Sequence, residues 1–294
     1  MKYISLIAIA VLLGFGVRSQ QNPTASFLWK IAGKGLKQES YLLLTSTTCQ
    51  EKIQLSPKTV QAINESTVVA VENNLFEKTS AQKLRGSMLA VADSQRIRNV
   101  FTPAQYQEFV RKYKDEGAPN EAFDQLNAIK VDFLYMMRVS ELSPCDLQVR
   151  ADKIEEVLQR IAEKQNKRFV ALQTVEDVLA DNALHNKSYW QQNMWFVFKN
   201  PEAFRQTLQQ KNDLYGKGDF AGLQTLYRET SLYHAQNNDN VLSRHVANLS
   251  QLVDRLIQKD PGFIQANIAN ALLQTHSLLD RLKELGYTLT PVIE

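Results

Sequence analysis

Two short runs rich in β-branched and aromatic residues, Thr67–Glu72 (TVVAVE) and Arg168–Leu172 (RFVAL), each stand directly behind a helical segment, and this spacing constrains the fold most. The first run follows a helix that Ser56 caps and Pro57 opens, continuing to about Glu65. The second follows a helix from about Ala151 to Lys164. A buried strand reached through a helix implies a crossover connection, which permits parallel pairing. The unit occurs twice, and after the second run Thr174, with Glu176 close behind, opens another helix.

The ends of the chain complete a sheet. Phe27–Ala32 and Tyr41–Thr45 flank a Gly33-Lys34-Gly35 turn and predict an opening hairpin. After Asp260-Pro261-Gly262 come a strand over Phe263–Ala266, a helix over Leu272–Leu285 and a closing strand over Tyr287–Val292. Between these lie two stretches of helical periodicity. In residues 102–137, Tyr106, Phe109, Val110 and Tyr113 recur at steps of three and four, followed by Phe123, Leu126, Ile129 and Phe133. Residues 200–259 carry start signals at Asn200-Pro201 and at Gly216-Lys217-Gly218 followed by Asp219. The expectation is a helix-rich α/β fold: one domain over residues 20–294, a central mixed sheet, and large helical insertions at about 102–137 and 200–259.

Met1-Lys2, the apolar run Ile4–Val17 and the small residues around Arg18 have the form of a secretory signal peptide over residues 1–19. The run falls short of the roughly 20 residues that span a bilayer, and no Cys marks a lipoprotein cleavage point. The mature chain is therefore expected to be exported without a stable membrane span. Lys2 and Arg18 leave with the leader, so 32 basic side chains face 31 acidic ones, which argues against nucleic-acid binding by bulk charge. Cys49 and Cys145 are the only cysteines. In an oxidising compartment they are expected to form a disulfide; two free thiols or a metal pair are the competing readings, the last weakened by the lack of nearby His or a C-x-x-C.

Phe27-Leu28-Trp29-Lys30-Ile31, Gly35 and Ser40-Tyr41-Leu42-Leu43 resemble the opening of the TraB/PrgY/GumN family, relatives of the Tiki metalloproteases. The resemblance continues through Val69-Ala70-Val71-Glu72, Asp213-Leu214-Tyr215, Gly218-Asp219-Phe220, Leu223–Tyr227, Arg244 and Gly286-Tyr287-Thr288-Leu289-Thr290-Pro291-Val292, in order over nearly all of the mature chain. It implies a sheet built from two related halves, each offering a Gly-x-x-His motif at a strand end. In members regarded as active, those two His, a Glu after an early strand and a basic residue form a metal-dependent hydrolytic site. The chemistry is coherent: imidazoles hold the ion, the ion acidifies a bound water, and a carboxylate serves as ligand or base.

This chain departs from the pattern where that chemistry would sit. The first motif falls on Leu44-Thr45-Ser46-Thr47 and the second near Asn267-Ile268-Ala269-Asn270, so both Gly and both His are absent. The family's Leu-Glu-Thr is replaced by Leu172-Gln173-Thr174 and its Arg-Asn by Arg244-His245. Glu72 and Arg244 remain as the candidate catalytic remnant. Thr45, Thr47, Gln173, His245, Asn267 and Asn270 are the candidate cleft lining, with Thr47 facing the Asn267–Asn270 segment. Glu72 either marks a functional edge or is the first solvated residue of a loop, and Arg244 either pairs with it or lies on a helix surface. His245 either reaches the cleft or is a partly exposed helix residue; His185, His234 and His276 are expected at the surface.

Other signals are weak. The hydroxyl run Thr45-Ser46-Thr47-Thr48 has no His and acid that sequence alone can place beside it. Three glycosylation sequons, at Asn64, Asn186 and Asn248, are inert in the bacterial setting that the resemblance implies. Tyr189, Trp190, Trp195, Phe196 and Phe198 form either helix-packing core or a ligand groove. Three functions stay open: a catalytically degenerate member that binds a protein or peptide, a metal-dependent hydrolase with rearranged ligands, and an envelope-associated interaction protein. The lost imidazoles favour the first, for which no cofactor is expected; a divalent metal belongs to the second. The predicted location is the periplasm or the bacterial exterior.

Overall fold

The protein is described by a computed structural model covering residues 27–46, 53–75, 77–87, 96–115, 153–183, 195, 198–230, 238–273 and 276–293. Six strands form one sheet: β1 (Leu28–Gly33), β2 (Ser40–Thr45), β3 (Val68–Asn73), β4 (Arg168–Gln173), β5 (Gly262–Asn267) and β6 (Tyr287–Pro291), in the order β4-β3-β5-β2-β1-β6. The four strands β4, β3, β5 and β2 run parallel to one another, whereas β1 is antiparallel to both β2 and β6. The α/β, helix-rich expectation is met. Gly33 and Gly35 take positive φ, at 89° and 75°, at the hairpin turn, a backbone region that costs a side-chain-bearing residue steric strain.

Nine α-helices surround the sheet among the described residues: α1 (Pro57–Glu65), α2 (Lys78–Ser87), α3 (Pro103–Asp115), α4 (Ile154–Lys164), α5 (Val175–Ala183), α6 (Pro201–Gly216), α7 (Phe220–Glu229), α8 (Asn238–Ile257) and α9 (Leu278–Glu284). The strands alternate their side chains between two faces. On one face Val69, Val71, Phe263, Tyr41 and Leu43 pack against Ala62 and Ile63 of α1 and Leu158 and Ala162 of α4. On the other, Ala70, Leu42, Leu44, Ile264 and Ala266 meet Val246, Leu249, Val253 and Ile257 of α8, with Leu223 of α7 and Leu278 and Leu282 of α9. Truncating any of these buried Leu or Ile side chains to Ala costs about 2–5 kcal/mol.

Local chemistry sets the helix starts. Ser56 accepts a hydrogen bond from the Thr59 amide, with Pro57 in the first turn, and Asp219 accepts from the Gly222 amide. The closing helix differs from its predicted span of Leu272–Leu285. The Asn267 side chain caps a short 3-10 turn, Ile268–Ala271, and a reciprocal Ser277–Asp280 capping box starts α9 only at Leu278. His276, at φ 55°, separates the two. The signal-peptide segment, residues 116–137 of the predicted helical stretch 102–137, Cys49 and Cys145 all lie outside the described residues.

Candidate functional site

The carboxyl ends of the parallel strands present Gln173, Glu72, Asn267 and Thr45 along one edge of the sheet. In open α/β sheets this is the edge where ligands bind. Glu72 has the parity of Ala70, so its side chain emerges on the α8 face, and it is 7% exposed. Its Oε1 accepts from Nε2 of His245 at 2.9 Å. Its Oε2 accepts from the backbone N–H of Asn267 at 2.7 Å and from Nδ2 of Asn270 at 2.9 Å. Asn270 is itself buried, and Asn267 turns its own side chain back to the Ala269 amide.

His245 reaches Glu72 through helix geometry. The α8 residues Val246, Leu249, Val253 and Ile257 form the stripe against the sheet. At roughly 100° per residue, position 245 lies on the flank of that stripe and position 244 on the opposite side. Arg244 is accordingly exposed, the helix-surface alternative, and the partner of Glu72 is its neighbour His245. The second ring nitrogen, Nδ1, lies 2.8 Å from Oδ2 of Asp181 on α5. With a carboxylate oxygen at each nitrogen, the ring can donate to both only as an imidazolium. Burial opposes the charge, but the hydrogen bonds and charges of Glu72, then of Asp181, outweigh it and raise the His245 pKa. The ring thus joins β3, α5 and α8.

Gln173 closes the same corner. Its Nε2 lies 3.3 Å from Nδ1 of His245, while its Oε1 is buried without a partner. An imidazolium Nδ1–H cannot accept from an amide N–H; a half-turn of the amide brings its oxygen to the ring as an acceptor. Glu155, in the first turn of α4, adds a further carboxyl. Burial, reinforced by the charge of Glu72, raises its pKa.

Of the sequence-predicted residues, Glu72, His245, Gln173, Asn267 and Asn270 come together. Thr45 does not share their face: its hydroxyl accepts from Gln265 Nε2 at 2.8 Å on the α1/α4 side. Thr47, His185 and His234 lie outside the described residues. His276 is exposed beside Glu284, 3.1 Å away. Ser46 Oγ has no hydrogen-bond partner, and His245, with both nitrogens committed, is not placed to serve as its base. Trp195 stacks on Phe198 and packs against Phe101, which supports the packing reading of those two aromatics.

Asp181 was missed by sequence reasoning. It stands in the run Glu176-Asp177-Val178-Leu179-Ala180-Asp181, where the other two acids have ordinary duties: Glu176 pairs with Lys83 at 2.8 Å, and Asp177 caps Thr174. Nothing in the string singles out the third. No group of three or more His, Cys, Asp or Glu side chains among the described residues is arranged to hold a metal ion.

A mixed sheet with its polar cluster at the carboxyl ends of its parallel strands defines an α/β protein. The chain belongs to the TraB/PrgY/gumN family, whose profile matches residues 27–291. No curated protein and no solved structure matches it.

Proposed function

We propose that this protein is an exported, catalytically degenerate member of its family that acts by binding a protein or peptide at the carboxyl edge of its sheet. The observation that carries this reading is the occupation of Glu72. Three donors, His245 Nε2–H, the Asn267 amide and Asn270 Nδ2–H, engage both of its oxygens, and a carboxylate so engaged is held in place by the protein's own groups. Asn270, at the last position of the second motif, serves as one of those donors instead of as a ligand. The alternative, a hydrolase with rearranged ligands, needs a free lone pair on His245, and both ring nitrogens face carboxylates.

The protein is to be incubated with peptide mixtures in the presence of Zn2+ or Mn2+, and the peptides followed by mass spectrometry. The reading expects a subset of peptides retained on the immobilised protein, retention weakened by Asn267→Asp, and no new peptide termini. Metal-dependent cleavage abolished by Glu72→Ala would establish the hydrolase instead. Export is tested by the N-terminus of the mature protein, expected at about residue 20. The proposed Cys49–Cys145 bridge is tested by thiol titration of the unreduced, denatured chain, which should find none free.

No described helix is long and apolar enough to cross a membrane.

A further inference from the structure

We infer that the imidazolium of His245 is the protein's own cation, seated in a place built from oxygen donors, and that this ring rather than a metal ion holds Glu72 and Asp181 together. The inference shares Glu72 with the binding role proposed above and rests on that reading to this extent. The divalent ion implied by the family resemblance does not fit the residues present. His245 has no lone pair to give, because Nε2 lies 2.9 Å from Glu72 and Nδ1 2.8 Å from Asp181. The other oxygen of Glu72 is taken by the Asn267 and Asn270 donors.

The surroundings of the ring nevertheless have the composition of a hard-cation site. Two carboxylates from different elements converge on it. Gln173, only 3% exposed, lies with its side-chain amide 3.3 Å from Nδ1, and turned as described above it puts its carbonyl oxygen against the ring. Carboxylate and amide oxygens are the donors that Ca2+, Mg2+ and Mn2+ take. In this chain a positive charge between them arrives on a side chain of α8, so one of the two negative charges is compensated when the helix packs. Removing the ring leaves a cavity with two uncompensated carboxylates and an amide oxygen at its wall, which is a latent divalent-cation site.

The test is calorimetric titration of the full mature chain with Mn2+ alone. The wild-type protein should show no saturable binding. His245→Ala should bind one ion with a saturable isotherm that the wild type lacks, and adding Asp181→Asn should abolish that gain. Equal affinity in wild type and His245→Ala, or one tightly held Mn2+ in the wild type, would overturn the inference. If His245→Ala does not fold, nitrogen NMR of the wild-type ring decides: both nitrogens should carry protons at neutral pH, and a neutral tautomer contradicts the assignment. Metal-free peptide cleavage by the wild type would end the binding role and leave this inference standing, so the two fail separately.

Discussion

The two ends of the same parallel strands use polar side chains in opposite ways. At the amino end they close off the backbone. Lys167 donates to the carbonyls of Ile63 and Asn64, each at 2.8 Å, and to that of Ser66, so one ammonium caps the end of α1. Ser40 accepts from the Gly262 amide at 3.0 Å, and Lys34, Asp254 and Tyr287 lock the hairpin to α8. The Lys167 and Ser40 contacts satisfy backbone groups that the fold itself would leave unpaired, and the Lys34–Asp254–Tyr287 tie is a more exposed side-chain cluster. At the carboxyl end, two carboxylates and an imidazole meet side chain to side chain, with 16% or less of the Glu72 and His245 side chains exposed. Helix packing does not require such a cluster, and its desolvation is costly. The contrast separates the two ends: the amino end is mostly capping, and the carboxyl end is a buried charged cluster held at a cost in desolvation.

The largest effect should come from breaking the carboxyl-end bridge on one side only. His245→Ala leaves two carboxylates facing each other in a largely buried place and is expected to lower stability by about 3–5 kcal/mol in urea unfolding. Glu72→Gln, which preserves the shape and several hydrogen bonds, should cost less. Similar losses from truncating Lys34 or Lys167 would remove the distinction between the two ends.

At the amino end, Lys167→Met removes the donor to three carbonyls while keeping the apolar stem, and about 1–3 kcal/mol should be lost. Peptide retention at the other edge should be unchanged. A change in retention would mean that the ends are coupled.

The pH dependence sharpens the comparison further. The folded ring of His245 holds its proton more tightly than the unfolded one. Its contribution is therefore complete below the unfolded value of about 6.5 and is lost as pH rises through the higher folded value. Urea midpoints of the wild type should fall as pH rises through that window, whereas those of His245→Gln should stay flatter. Glu155, also raised, acts in an acid window that begins near the unfolded value of about 4.3. A wild-type profile identical to that of His245→Gln would show that the ring carries no such charge.

The smallest effect is assigned to Arg244. On the exposed side of α8 it should tolerate Ala with a change within about 0.5 kcal/mol, and with peptide retention unaltered. A large effect would return it to the site.

Much of the fold was legible because its signals are local. The β-branched runs at Val68–Val71 and Phe169–Val170, the Ser56-Pro57 start and the Gly33-Lys34-Gly35 turn each act within a few residues. The helix boundary at Leu278 was less so, because the Asn267 cap and the Ser277–Asp280 box interrupt a stretch whose apolar spacing continues across them. The site was partly legible. Glu72, Gln173, Asn267 and Asn270 stand at strand ends, which a strand prediction locates directly. The choice between Arg244 and His245 depends on the rotation of α8 against the sheet, and a shift of one residue changes the direction by about 100°. Asp181 depends on how α5 packs on α8, a long-range relation that no spacing within its own helix encodes.

The central claim, that an internal imidazolium holds the carboxylate a metal site would need, is tested most directly by elemental analysis of the purified mature protein after equilibration with Zn2+ and Mn2+ and removal of excess ion. The account predicts metal far below one ion per chain, with Glu72→Ala no different from the wild type. Stoichiometric metal in the wild type, lost in Glu72→Ala, would contradict it.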